Sequence, residues 1–118
     1  MSQAASPIDI LIAEHYRWGG VCDGWHLLKL PGLSVIQEYV PPGAAEVKHL
    51  HGQAHQFFFV LSGVASLEFE SHTCEVRAGQ GVHVASGVAH RFANRTTEGV
   101  SFLVISSPST AGDRRNLE

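Results

Sequence analysis

Three histidines, His49, His51 and His55, fall within seven residues in the stretch from Gly43 to Gly63. In a β-strand, residues two apart project to the same face about 6.6 Å apart along the chain, so His49 and His51 can lean toward one point while Leu50 points away. A second stretch, Gly79 to Asn94, carries a fourth candidate, His90. A lone histidine in a strand is ordinarily a polar residue with a hydrogen-bond partner. Three in a His-x-His-x3-His spacing, answered by a fourth some thirty-five residues on, point instead to metal binding. The expected cofactor is one divalent transition metal ion, drawn from Mn, Fe, Ni, Zn or Cu.

The spacing around these residues has a counterpart in a known family. Gly43, five residues, His49, one residue, His51, then Gln56 and six residues to Gly63 resemble the first motif of the cupin superfamily. Gly79, five residues, Ala85, one residue, Gly87, two residues, His90, three residues and Asn94 resemble the second. The resemblance runs over roughly residues 33–107. It implies an all-β fold, the double-stranded β-helix or jelly-roll β-barrel of a small, single-domain, RmlC-like cupin. Two positions depart from the pattern. Gln56 stands where the family usually has a glutamate ligand, and Ala85 where it usually has proline; at the second, Gly87 can still supply an unusual backbone angle.

Strand parity frames the choice of third ligand. Neighbours in a regular strand face opposite ways, so His55 and Gln56 cannot both point into the barrel unless a bulge intervenes. Imidazole is the better donor and a neutral carboxamide oxygen a weak one, so His55 is the expected third ligand, with Gln56 the alternative or a partner behind the ligands. The resemblance supports His55, because some small cupins, among them manganese-binding ones and certain polyketide cyclases, use four histidines with one immediately before the usual glutamate position. Four neutral imidazoles would leave a divalent ion both its charges, favouring an anionic ligand or an enolate. Phe57, Phe59 and His83 are the expected pocket-lining residues. No catalytic residue is assigned: Glu38 and Tyr39 read as exposed strand positions, although one could reach the pocket as an acid or base.

These residues need a rigid frame, and the chain reads as one. Its 118 residues suit a single domain, and 44% hydrophobic with 16% charged residues fits a packed core. A net charge of −3, with Lys48, Arg77, Arg91 and Arg95 scattered singly, leaves no basic footprint for nucleic acid. No apolar run reaches the length of a membrane span. Two cysteines, Cys22 and Cys74, and a start lacking signal-peptide regions lead to the expectation of a reduced, cytoplasmic protein.

The expected organisation is a loose tail over residues 1–7, a barrel over 8–107 and an exposed tail over 108–118. Ile8 to Ala13 suggests a first strand, and Asp23-Gly24 a turn before Trp25 to Leu30. Leu33 to Val40, Gln56 to Leu61, Val64 to Glu70, Thr73 to Arg77, Val82 to Ala85, Val88 to Asn94 and Val100 to Ser106 follow as short strands with turn signals between them, Ser62-Gly63 being a hairpin connection. Phe57, Phe59 and Leu61 fall on one face of their strand and Phe58 and Val60 on the other. A strand apolar on both faces needs cover from the N-terminal segment or a second chain, and a homodimer is expected. The whole points to a metal-dependent enzyme acting on a small organic molecule, by dioxygenase-like or by Lewis-acid isomerase or cyclase chemistry. A non-catalytic metal- or ligand-binding module is the alternative.

Overall fold

The computed structural model describes residues 5–118 and contains eleven strands among them: β1 (Glu14–Trp18), β2 (Cys22–Lys29), β3 (Ser34–Val40), β4 (His49–His51), β5 (His55–Ser62), β6 (Val64–Phe69), β7 (Thr73–Arg77), β8 (Gly81–Val84), β9 (His90–Ala93), β10 (Val100–Ser107) and β11 (Arg114–Asn116). They form two sheets, six strands ordered β1-β2-β3-β10-β5-β8 and five ordered β11-β4-β9-β6-β7, every pairing antiparallel. Folded face to face, they make the expected all-β jelly roll, a double-stranded β-helix. Among the described residues no helix is long and apolar enough to cross a membrane.

The period of two in the sequence decides which side chains fill the space between the sheets. Along β10, Val100, Phe102, Val104 and Ser106 are buried and their neighbours are half-buried. On β5 the buried positions are Gln56, Phe58 and Val60. Phe92 and Phe102 stack at 3.8 Å between ring centroids, with Phe58 about 6 Å from each, and this aromatic trio closes the barrel beneath the histidines. Burying such side chains contributes about 2 to 3 kcal/mol apiece. Asn94, fully buried, donates to the carbonyls of Val40 and Glu98 at 3.0 and 2.7 Å and so ties the end of β9 to that of β3.

Three expectations change. Ile8 to Ala13 is turn and irregular chain rather than a strand, and residues 5–7 are irregular and exposed; residues 1–4 of the expected tail lie outside the described residues. Asp23-Gly24 is not a turn but lies inside β2, the turn being Gly19-Gly20-Val21. Gly24 is there for space: a Cβ on it would collide with the ring of Tyr16, which crosses over it. Residues 108–118 are not a free tail either. The carboxylate of Asp113 accepts the N–H groups of Gly52, Gln53 and Ala54 at 2.8 to 3.1 Å, and β11 then adds to β4, opposite His49 and His51. Three orphan N–H groups at a loop are a strong pull for one carboxylate.

The outer face of the six-stranded sheet keeps an apolar row. Ile105 pairs in register with Phe57 and Val35, and Leu103 with Phe59, while Phe57 and Leu61 stay 40% and 42% exposed. β1 does not cover them, because it joins the sheet beyond β2, at the opposite edge from β5 and β8.

Candidate metal centre

β4 presents His49 and His51 to the interior, and the register of β4 against β9 sets His49 opposite His90. All three rings are buried, and one nitrogen of each lies within 4.8 Å of the others. Two rings are oriented from behind: Nδ1 of His49 is 2.7 Å from the carbonyl of Val47, and Nδ1 of His90 is 2.9 Å from that of Val88. A carbonyl only accepts, so each Nδ1 carries the hydrogen and each Nε2 presents a lone pair. The glycine after β8 helps to set this arrangement, since Gly87, at φ +77°, turns the chain so that its N–H donates to the His51 carbonyl at 2.7 Å.

Burial and bonding in the cluster match what an ion would need. Nε2 of His90, Nδ1 of His51 and Oε1 of Gln56 are buried with no hydrogen-bond partner. Buried polar atoms are ordinarily paired, and the two orphaned nitrogens within the histidine cluster, with the Gln56 oxygen in the wall of the adjoining cavity, are what a cation would satisfy. Burial is the largest cause lowering the pKa of all three rings, that of His49 to about 3, so they stay neutral and able to ligate. The donor set of neutral imidazoles suits a divalent transition ion.

The remaining expected site residues lie elsewhere. His55 is on the outer face of β5, its Nδ1 3.0 Å from Nε2 of His83, so the expectation of His55 as third ligand does not match the geometry. Gln56 points inward instead, its Nε2 donating to Ser106 Oγ at 3.1 Å. The reason is the hairpin at Ser62-Gly63: Phe58 and Val60 must fill the core, and parity carries Gln56 in with them. Phe57, Phe59 and His83, expected to line the pocket, share the outer face with His55, and Phe57 lies over Gly81, where a Cβ would strike its ring. Phe58 lines the cavity in their place.

That cavity holds about 220 Å³ beside the histidines. Trp18, Ile36, Phe58 and Val104 form an apolar wall, and Tyr16, Glu38, Glu46, Gln56, Thr110 and Arg114 supply the polar part. Glu38, expected at an exposed strand position with a reach into the pocket as acid or base the alternative, takes that alternative: it lines the cavity, where Tyr16 Oη donates to its Oε2 at 2.6 Å. Glu38, Gly24 and Tyr16 are cross-strand neighbours on β3, β2 and β1, so the glycine's missing side chain is what lets the phenol reach over to the carboxylate. Burial first, then the charge of Glu46, pushes Glu38 up to about 8, against the opposing pull of the Tyr16 bond and of Arg114. Burial likewise raises the Tyr16 phenol well above its ordinary range.

Glu46 and Arg114 had no signal in the sequence. Glu46 sits in the loop before β4; its Oε1 accepts the N–H of Phe92 at 3.0 Å, and its Oε2 lies 3.9 Å from His49 Nε2 and 3.8 Å from Arg114 Nη1. Burial raises it to about 7, with the Phe92 N–H and Arg114 opposing. Arg114 arrives only because β11 folds back over β4. Of the remaining histidines, His15 bonds Asp23 at 2.8 Å, His26 packs on the ring of Tyr16 at 5.0 Å between centroids, and His72 stacks on Phe69. Cys22 and Cys74 are free thiols.

Compared with known proteins, residues 37–106 match the family described as Cupin domain. An uncharacterized protein of Streptomyces coelicolor is 33% identical over 88 residues, 73% of this chain and 82% of that protein. Among solved structures, the polyketide cyclase RemF of Streptomyces resistomycificus aligns with a TM-score of 0.84 at 17% identity, over 98% of this chain and 87% of that one. A sugar phosphate isomerase of Silicibacter pomeroyi, described as from a cupin superfamily, aligns with a TM-score of 0.78 at 22% identity, over 88% of this chain and 76% of that one. At such identities the two structures speak for the fold alone.

Proposed function

This chain belongs to the cupin family, and from that premise we propose that it is a metal-dependent enzyme catalysing proton transfer on a small carbonyl compound, an isomerase- or cyclase-type reaction. His49, His51 and His90 would hold one divalent transition ion, with the amide oxygen of Gln56 beside them. The ion, when bound, supplies Lewis-acid polarisation of a substrate oxygen. The observation that carries the reading is the Tyr16–Glu38 pair, a half-buried acid built into the wall of the same cavity as His49 and His51.

The chain's own groups do the rest. Tyr16 donates to Oε2 of Glu38, which leaves Oε1 as the oxygen that holds or releases a proton. A carboxyl held near neutrality can give and take a proton within one turnover, which an ordinary surface glutamate does less well at pH 7. The apolar wall of Trp18, Ile36, Phe58 and Val104 orients a hydrocarbon portion and excludes water. At about 220 Å³ the cavity lies below the range typical of drug-sized ligands, so the substrate is a small molecule.

The test is deuterium wash-in. Protein loaded in turn with Mn, Fe(II), Ni or Zn is incubated in D2O with 1,3-diketones and α-hydroxyketones, and carbon-bound deuterium is read by NMR. Exchange is expected with no dioxygen consumed, and is expected to be lost in Glu38→Gln. Oxygen uptake without exchange would replace this reading with the dioxygenase-like one, and metal uptake with neither would favour a binding module.

We infer in addition that two copies pair through the outer face of the six-stranded sheet. The row of Phe57, Phe59, Leu103, Ile105 and Val35 is continuous across β5, β10 and β3 and contains no charge, as the core of an isologous interface requires.

A further inference from the structure

The cavity presents an imbalance of charge. Three neutral imidazoles and a neutral Gln56 leave a divalent ion with both its charges, in a wall that also holds the cation of Arg114. An unneutralised charge in such a site is costly, and a carboxylate among the donors would offset it.

One carboxylate is in position. We propose that Glu46 is a ligand of the same ion, supplying from the loop before β4 the negative charge that Gln56 does not supply from β5. The inference rests on the metal reading above. Its geometry is the 3.9 Å between Glu46 Oε2 and His49 Nε2. Two donors bound to one ion at about 2.1 Å each can stand no further apart than about 4.2 Å, so this separation fits a shared ion. The carboxylate is also pre-positioned rather than free to swing. Oε1 is anchored by the Phe92 N–H, and the backbone N–H of Glu46 donates to the Phe92 carbonyl at 2.9 Å. Phe92 lies two residues beyond His90 on β9, so the strand that places the third imidazole also places the acid. The side chain is only 11% exposed and lines the cavity, and its Oε2, which also has Arg114 Nη1 at 3.8 Å, faces Nε2 of His49.

The experiment is a Co(II) titration of the metal-free protein, following the visible absorption of the bound ion alongside calorimetry. Glu46→Gln keeps an oxygen for the Phe92 N–H, so it removes the charge and not the anchor. Its Co(II) affinity is expected to fall at least about tenfold with a changed visible spectrum, and the double variant Glu46→Gln/Gln56→Glu is expected to recover most of that loss, because a carboxylate then enters from the other side. Wild-type affinity and spectrum in Glu46→Gln, with binding lost in His51→Ala, would overturn this inference and leave the histidine site standing. An affinity loss that Gln56→Glu fails to rescue would assign Glu46 a structural part and overturn it equally. No Co(II) uptake by the wild-type protein would overturn the metal reading itself.

Discussion

Replacing Glu38 by glutamine should make the metal-free protein more stable, and the gain should depend on pH in a way the structure specifies. Glu38 is pushed from an ordinary 4.5 up to about 8, chiefly by burial. Between those values the native state keeps a proton that the unfolded chain has released. Stability from the neutral carboxyl is therefore fully present below pH 4.5 and is lost as pH rises toward 8. Each pH unit in that window is worth about 1.4 kcal/mol, so from pH 5 to pH 8 the loss attributable to Glu38 is about 4 kcal/mol. Glutamine has no such proton, and its oxygen can still accept from Tyr16. Glu46 titrates in both proteins and its charge is one cause of the Glu38 shift, so the difference between them reports Glu38 together with its coupling to Glu46. Urea unfolding in EDTA at pH 5, 6, 7 and 8, with equal m-values, measures it. The two proteins should match near pH 5 and diverge to about 4 kcal/mol in favour of Glu38→Gln at pH 8. Parallel profiles would show that the carboxyl is ionised at no cost in the folded protein, and would remove the basis for its acid role.

Other expectations follow from the packing. Phe102→Ala removes the partner of Phe92 in the fully buried stack and should cost about 3 to 5 kcal/mol of unfolding free energy; a loss below 1 kcal/mol would place the core elsewhere. Asp113→Ala releases the N–H groups of Gly52, Gln53 and Ala54, and their amide hydrogen exchange should accelerate together with that of β11; unchanged protection would mean that the strand pairing alone holds the segment. Phe57→Glu should turn a dimer into a monomer in sedimentation velocity, whereas a wild-type monomer would refute the paired outer face.

The sequence carried the fold well because nearly all the strands announce themselves by period-two burial and by glycine turns. His49 and His51 were legible because two residues on one short strand share a face, and His90 because the spacing from Gly79 to Asn94 resembles the second cupin motif. The expectation of His55 over Gln56 rests on donor strength and on the resemblance to four-histidine cupins, whereas the deciding constraint is the hairpin at Gly63, which fixes Val60, Phe58 and hence Gln56 inward. Glu38 was hidden by the ordinary rule that a strand glutamate faces water. Its burial depends on Tyr16 crossing Gly24, a contact between three strands that no local pattern reveals. Arg114 was hidden because a charged, glycine-containing end reads as a tail; only the Asp113 carboxylate, with three N–H groups to satisfy sixty residues away, turns it into a wall of the cavity.

The central claim is that His49, His51 and His90 converge on one metal ion. Anomalous diffraction from crystals of the protein grown with Zn or Mn tests it most directly, with data collected at the absorption edge. A single peak within about 2.3 Å of a nitrogen of each of the three rings is the expected result, absent in His90→Ala. An empty space between the rings under saturating metal, or a peak confined to the outer pair His55 and His83, would contradict it.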